Sequence, residues 1–245
     1  MKITGIQKLG SGPAPYARLI AHMILFAMCA FSFRSIAQKP ATIPEKIEWT
    51  WEVRPDNPVA GLPNVLLLGD SITRNYYPEV EKNLHGVANV YLMASSTSVG
   101  DPRIEHQISE FAAAEHVRFK VVHFNNGMHG WAYTEAQYKA EFPGYLRAVR
   151  SVMAKNGALI WASTTPVRPD ADNGATNARI QERNRIALSF VQAADIPLDD
   201  QFVLMQAHQD LHEDAIHYNE AGAKMQGDQA SEMIRKALEI SNSAN

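Results

Sequence analysis

An α/β fold, with a mostly parallel central sheet covered by helices on both faces, is what this sequence predicts, and three observations predict it. Short apolar runs of strand length alternate with longer stretches of helical spacing from Asn64 onwards, the pattern of a parallel sheet buried on both sides. Polar clusters follow the runs, at Asp70-Ser71, Ser95 to Asp101, Asn125 to His129 and Thr164 to Asp172, and the carboxyl ends of strands are where such folds gather functional side chains. The 245 residues, 46% of them hydrophobic, suffice for one large domain with a sizeable core. Neither internal repeats nor a second-domain boundary interrupt them.

The chain opens on a leader. Lys2, Lys8 and Arg18 precede an apolar run from Leu19 to Phe33, and Ser35-Ile36-Ala37 follows, which is the pattern of a signal peptide over residues 1–37 cleaved after Ala37. The run is short for a bilayer span and is broken by His22, which argues against a membrane anchor; Met23 is a second candidate start. The single cysteine, Cys29, lies inside this run, so the exported chain folds without disulfides. Cleavage takes Lys2, Lys8, Arg18 and Arg34 and no acidic residue, leaving 19 basic against 26 acidic side chains and moving the net charge from −3 to −7. An acidic chain without basic runs excludes nucleic acid and anionic membranes as partners. The expectation is a secreted or periplasmic protein with no stable membrane partner after cleavage.

Residues 38–63 carry Pro40, Pro44, Pro55, Pro58 and Pro63 with Trp49 and Trp51, an extended amino-terminal arm expected to pack against the domain rather than to act in it. The domain proper is expected over residues 64–245. Val65 to Leu68 form a buried strand that stops at Gly69-Asp70-Ser71, and a helix continues through Pro78 to Leu84. Val87 to Met93 is a second strand, Ser95 to Arg103 a loop of small residues, and Ile104 to Ala114 a helix. Phe119 to Phe124 is a third strand. Thr134 to Lys155 is helical with an interruption at Pro143-Gly144, and Ala158 to Ser163 is a fourth strand. A loop over Thr164 to Gly174, a helix over Asn177 to Ala194, a short strand at Ile196-Pro197-Leu198 and a final helix from Glu220 to Ile240 complete the chain.

The first of these junctions carries chemistry. At the carboxyl end of a central strand and the amino end of a helix, Ser71 has its hydroxyl over the crevice and free backbone N–H groups beside it that can receive negative charge. Asp and Ser also cap helices at such turns, so the serine needs a base to be informative. Asp214-Ala215-Ile216-His217, just before the last helix, puts a carboxylate and an imidazole three residues apart on one side of a turn. His217 can take the Ser71 proton while Asp214 holds the ring.

Together these residues resemble the SGNH/GDSL hydrolase superfamily, through Gly69-Asp70-Ser71-Ile72-Thr73 after an apolar strand and Asp214 to Gly222 near the end. The resemblance spans the chain from about Asn64 onwards. It implies a three-layer α/β/α flavodoxin-like fold and a carboxylic ester hydrolase with Ser71 as nucleophile, His217 as base and Asp214 as its partner. It also implies an oxyanion hole of the Ser71 and Gly100 N–H groups with a third donor. The family's Gly-x-Asn block is here Gly127-Met128-His129 after Asn125-Asn126, so His129 and Asn126 are both candidates for that donor.

A metal reading of His208, Asp210, His212, Asp214 and His217 is weak. The zinc-protease pattern fails by one place, because five residues of helix turn through roughly 500° and put His212 and His217 off one face. No metal and no cofactor is expected. The resemblance points to short-chain esters, acetyl foremost, on carbohydrates, with Trp131, Tyr133 and Arg168 as candidate substrate contacts and a small-molecule or glycan ester as partner. Two other readings stay open, a lipid-ester hydrolase of the same fold and a catalytically silent carbohydrate-binding protein.

Overall fold

Strand β2 (Asn64–Gly69) is the centre of the sheet because it alone has nothing polar to show to either side: Val65 to Leu68 are essentially inaccessible. Parallel neighbours lie on each flank of it, β3 (Asn89–Ser95) and β4 (Phe119–Phe124). Outward from β4 lie β5 (Met153–Ala162) and the two-residue β6 (Leu198–Asp199), also parallel. The sixth strand, β1 (Thr50–Val53), pairs antiparallel with the outer edge of β3, so the sheet order is β1-β3-β2-β4-β5-β6. The computed structural model describes residue 1 and residues 41–243, the last three by their backbone alone. Apart from Met1, the expected leader over residues 1–37 lies outside the described residues, with its cleavage site and the first three residues of the arm.

Alternation along each strand divides the core in two. Leu66, Leu68, Tyr91 and Met93 face α2 (Arg103–Glu115), α3 (Glu135–Ser151) and α4 (Asn177–Gln192). Val65, Leu67, Val90 and Leu92 face α1 (Ser71–Asn83) and the carboxyl-terminal α6 (Glu220–Ser243). The result is the three-layer α/β/α architecture, mostly parallel, that the sequence predicts. Among the described residues, no helix is long and apolar enough to cross a membrane.

Three local expectations need correcting. The arm is not merely extended, since its residues Thr50–Val53 supply the edge strand β1. Pro143-Gly144 does not interrupt α3, which runs unbroken to Ser151; burial of Phe142, Tyr145 and Leu146 around the proline outweighs the one hydrogen bond it forfeits. The helix also ends earlier than expected, and Met153 to Lys155 belong to β5, whose pairing with β4 shifts register between Phe119 and Val121. Short α5 (Gln201–Gln206) follows β6 with no expectation behind it.

A buried hydrogen bond ties the far strand to the middle of the sheet. His123 on β4 donates from Nε2 to Asp199 Oδ2 on β6 at 2.7 Å, with both side chains fully buried. Gln201 and Gln229 donate to the same carboxylate. Burial pushes the Asp199 carboxyl up, and its bond and charge interaction with His123, with the two glutamines, outweigh that and hold it below its usual value. A lowered folded value means that the stabilisation is present above the ordinary carboxylate range and is lost as pH falls through the folded value. Asp199→Ala is expected to cost about 3 kcal/mol at pH 7. Urea unfolding should show that gap closing as the pH is brought down.

Candidate active site

Three loops at the carboxyl ends of β2, β4 and β5 meet the segment before α6, and the meeting assembles a relay. Asp70 accepts from Ile72 N at 3.0 Å as the cap of α1, which leaves the next residue, Ser71, at the first position of the helix. His217 Nε2 stands 2.7 Å from Ser71 Oγ, and His217 Nδ1 lies 2.8 Å from Asp214 Oδ2. A carboxylate can only accept, so Nδ1 carries the proton there and Nε2 is free to take one from the serine. Asp214 is held from its other oxygen by the backbone N–H groups of Ile216 and His217. Burial pushes its carboxyl up, and the backbone and ring bonds from His217 outweigh that and bring it down to about 2.

Gly69 is required for this junction. Its backbone lies so close to Thr73 that a Cβ would stand 2.1 Å from Thr73 Oγ1. At the next loop Gly100 is buried under Tyr133, where a Cβ would lie 2.6 Å from the ring.

Of the two candidate third donors, the structure separates the positions. Asn126 is buried and clamps the loop before Gly100: its Oδ1 accepts from Val99 N and its Nδ2 donates to Thr97 O. His129 instead lines a cavity of about 360 Å³ together with Ser71 and His217. Its Nδ1 donates to Glu45 Oε2 at 3.0 Å, while its Nε2 is buried with no partner among the described residues. Burial pulls the His129 ring down, and Glu45, Asp70 and Glu48 outweigh that and hold it above its ordinary value. Glu45 also accepts from Gly130 N at 2.7 Å, and Trp49 sets its ring edge against the imidazole at 5.6 Å. Two arm residues, Glu45 and Trp49, thus stand at the site, although the sequence reading assigned the arm to packing. A charged side chain between prolines was the only signal of this.

The candidate substrate contacts fare differently. Tyr133 is 2% exposed and its hydroxyl is taken by Ile43 N and Asp101, so it belongs to the core beneath Gly100 and not to a substrate surface. Trp131 is half-buried, with the guanidinium of Arg183 4.0 Å from its ring centre and that of Arg179 at 5.0 Å; its face is occupied from within. Arg168 is exposed, pairs with Asp170 and gives its backbone N–H to Ala215. It steadies the loop behind Asp214 and does not line the cavity. Arg74, Trp49, Met128, Asn173 and Ile216 do line it, and none was singled out from the sequence.

A larger cavity, about 810 Å³, opens at the opposite end of β5 beside Met153, Ile196 and Met233. No serine, histidine or cysteine lines it, so size does not place the chemistry there. Among the described residues, no group of three or more His, Cys, Asp and Glu side chains is arranged to hold a metal ion; His212 of the suspected cluster stacks on Tyr218.

Fold and site geometry together define a class: the chain has the α/β/α fold of the GDSL/SGNH hydrolases, with a serine, a histidine and an aspartate in hydrogen-bonded sequence at its strand ends. Among solved structures it resembles a member of the lipolytic G-D-S-L family from Veillonella parvula (19% identity over 70% of this chain and 98% of that one, TM-score 0.56). It resembles a carbohydrate esterase of family 3 from Talaromyces cellulolyticus (16%, 73% and 99%, TM-score 0.58). An acetyl xylan esterase is similar too (13%, 70% and 99%, TM-score 0.53). At such identities the likeness is one of fold. No protein-family model matches the chain, and no curated protein matches it.

Proposed function

We propose that this chain is a serine esterase of the SGNH type, exported to the periplasm or beyond the cell, that hydrolyses short acyl esters, chiefly acetyl, on carbohydrates. The observation that carries the reading is the unbroken contact from Ser71 Oγ through His217 to Asp214. Ser71 Oγ attacks the ester carbonyl carbon as its proton passes to His217 Nε2, and the carbonyl oxygen becomes an oxyanion. His217 returns the proton to the alcohol oxygen as the acyl bond breaks, and water repeats the sequence to release the acid and free Ser71. The small cavity around Ser71 suits a short acyl group, and two of the similar structures are a carbohydrate esterase and an acetyl xylan esterase. The leader at residues 1–37 supports export.

In this reading the oxyanion is received by the N–H groups of Ser71 and Gly100 and by His129. The imidazole keeps its Nδ1 proton in the hydrogen bond that it donates to Glu45, so Nε2 can donate only when the ring is an imidazolium. Glu45 is therefore a positioning residue that keeps His129 charged. The sign follows: His129 donates below its raised value and ceases to donate as pH rises through it. Glu45→Gln is expected to move the alkaline fall in kcat/KM to lower pH and to reduce the plateau about tenfold, which a pH profile of the two proteins measures.

The test of the function is hydrolysis of 4-nitrophenyl acetate against the octanoate by residues 38–245, with Ser71→Ala and EDTA controls. Acetyl turnover that vanishes in Ser71→Ala and ignores EDTA is the expected result. Turnover that survives in Ser71→Ala, or none in the parent, overturns it.

A further inference from the structure

The mouth of the cavity carries a cation that the relay does not use. Arg74 stands one helical turn after Ser71 on α1, so the two side chains share a face with Cβ atoms about 5–6 Å apart, and both line the same cavity. Its guanidinium lies over two indoles of the arm, 5.5 Å from the Trp49 ring centre and 5.0 Å from that of Trp51. Such stacking fixes the plane of the fork while leaving its N–H edge open. Among the described residues Arg74 forms no ion pair, and none of the residues lining the cavity is acidic. The carboxylates of Asp214 and Glu45 are engaged elsewhere, with His217 and with His129 and Gly130, while Asp70, buried, accepts from Ile72 N through Oδ1 and has no partner at Oδ2 among the described residues. Trp51, on the edge strand opposite Ala94, keeps half of its surface exposed.

We infer that the alcohol part of the ester bears an anionic oxygen pair, a carboxylate or a phosphate, close to the acylated hydroxyl, and that Arg74, steadied by Trp49 and Trp51, is the residue that selects it. A planar guanidinium one turn from Ser71 donates to two such oxygens side by side, while the ester carbonyl sits over Ser71. The arrangement fits an acylated sugar acid better than a neutral acylated sugar, and it offsets the repulsion that the exported chain, with 19 basic against 26 acidic side chains and a net charge of −7, exerts on an anionic substrate. The inference rests on the esterase reading.

The experiment compares kcat/KM for three esters that share the acetyl group: an O-acetyl methyl glucuronide, its neutral O-acetyl methyl glucoside counterpart acetylated at the same hydroxyl, and an O-acetyl glycerol phosphate. The parent should prefer an anionic ester to the neutral one by about tenfold or more, and Arg74→Gln should bring that ratio close to one. Arg74→Lys should restore part of it, since it keeps the charge and loses the fork. Raising the salt from 0.01 to 1 M shortens the screening length from about 30 to about 3 Å and should erode the parent's ratio but not the variant's. Preference for the glucuronide assigns the sugar acid, and preference for the phosphate assigns a phosphorylated alcohol. A parent ratio near one, or a ratio that survives Arg74→Gln, overturns the inference while Ser71-dependent turnover of the neutral ester leaves the esterase reading standing. Absence of any Ser71-dependent turnover overturns both.

Discussion

Replacing His217 by alanine is expected to lower kcat for ester hydrolysis by roughly 10⁴- to 10⁶-fold, and Ser71→Ala by the same amount, with no further loss in the double variant. The equality follows from geometry. Ser71 has one hydrogen-bond route for its proton, the 2.7 Å contact to His217 Nε2, so either deletion removes the same step. Asp214→Asn should cost less, about 10³- to 10⁴-fold, because the amide still accepts from the backbone but offers Nδ1 the wrong partner and favours the wrong tautomer. Asp214 is 58% exposed, so its hold on the ring comes from directed bonds and not from burial. With its carboxyl brought down to about 2, it stays ionised above that value and should contribute no acid limb to the rate profile between pH 4 and 9. Steady-state kinetics of the three variants and a pH series on the parent check this.

Arg183→Met is expected to destabilise the protein by about 3–5 kcal/mol, the largest stability loss of any single change at the site. The Arg183 side chain is 1% exposed and runs beneath the loop after β4, where Nη1 donates to the carbonyls of Gly127 and His129 and Nη2 to that of Gly130. Burial brings its value down to about 10, still charged at neutral pH. Methionine matches the bulk and leaves those carbonyls facing an apolar group with no donor. Arg183→Lys should recover only part of the loss, since a single ammonium cannot reach what the planar fork spans. Urea unfolding gives the stability change. Because His129 rides on this loop, the folded fraction of Arg183→Met should also show reduced kcat, whereas a change on the far side of the sheet should not.

Much of the fold was legible in the chain because strand burial writes itself into runs of apolar residues. β4 was read to the residue, and β2 and β3 to within two, each a strand buried on both faces with few polar positions to blur it. The errors cluster where tertiary packing overrides local preference. Pro143 reads as a break, yet it sits inside α3 because Phe142 and Tyr145 are anchored on both sides of it. Thr50–Val53 reads as part of an extended arm between prolines, and the open edge of β3 makes it a strand of the sheet.

The site divides along the same line. Ser71, Asp214 and His217 could be named from sequence because two of them lie within one turn and the third occupies a strand-to-helix junction, both local arrangements. Whether Asn126 or His129 faces the crevice could not be, since both follow the same strand by a few residues and the choice depends on the Asn126 clamp on Val99 and Thr97. Tyr133 is aromatic and adjacent to that loop, which is all that sequence reports; its depth under Gly100 is a property of three segments at once. Glu45, Trp49 and Arg74 were equally hidden: Glu45 lies 84 positions from His129, the imidazole it bonds, and Trp49, which sets its ring against the same imidazole, and Arg74 join it only across the folded chain. By itself the sequence determined the layers, the order of the elements from β2 onwards apart from the short α5, and Ser71, His217 and Asp214 as candidates for one relay, since those follow from periodicity and short-range spacing. Which side chains surround the nucleophile, and with what charge, was decided only when the arm folded back along β3, because contacts between segments distant in the chain depend on the docking of whole elements and leave no local pattern.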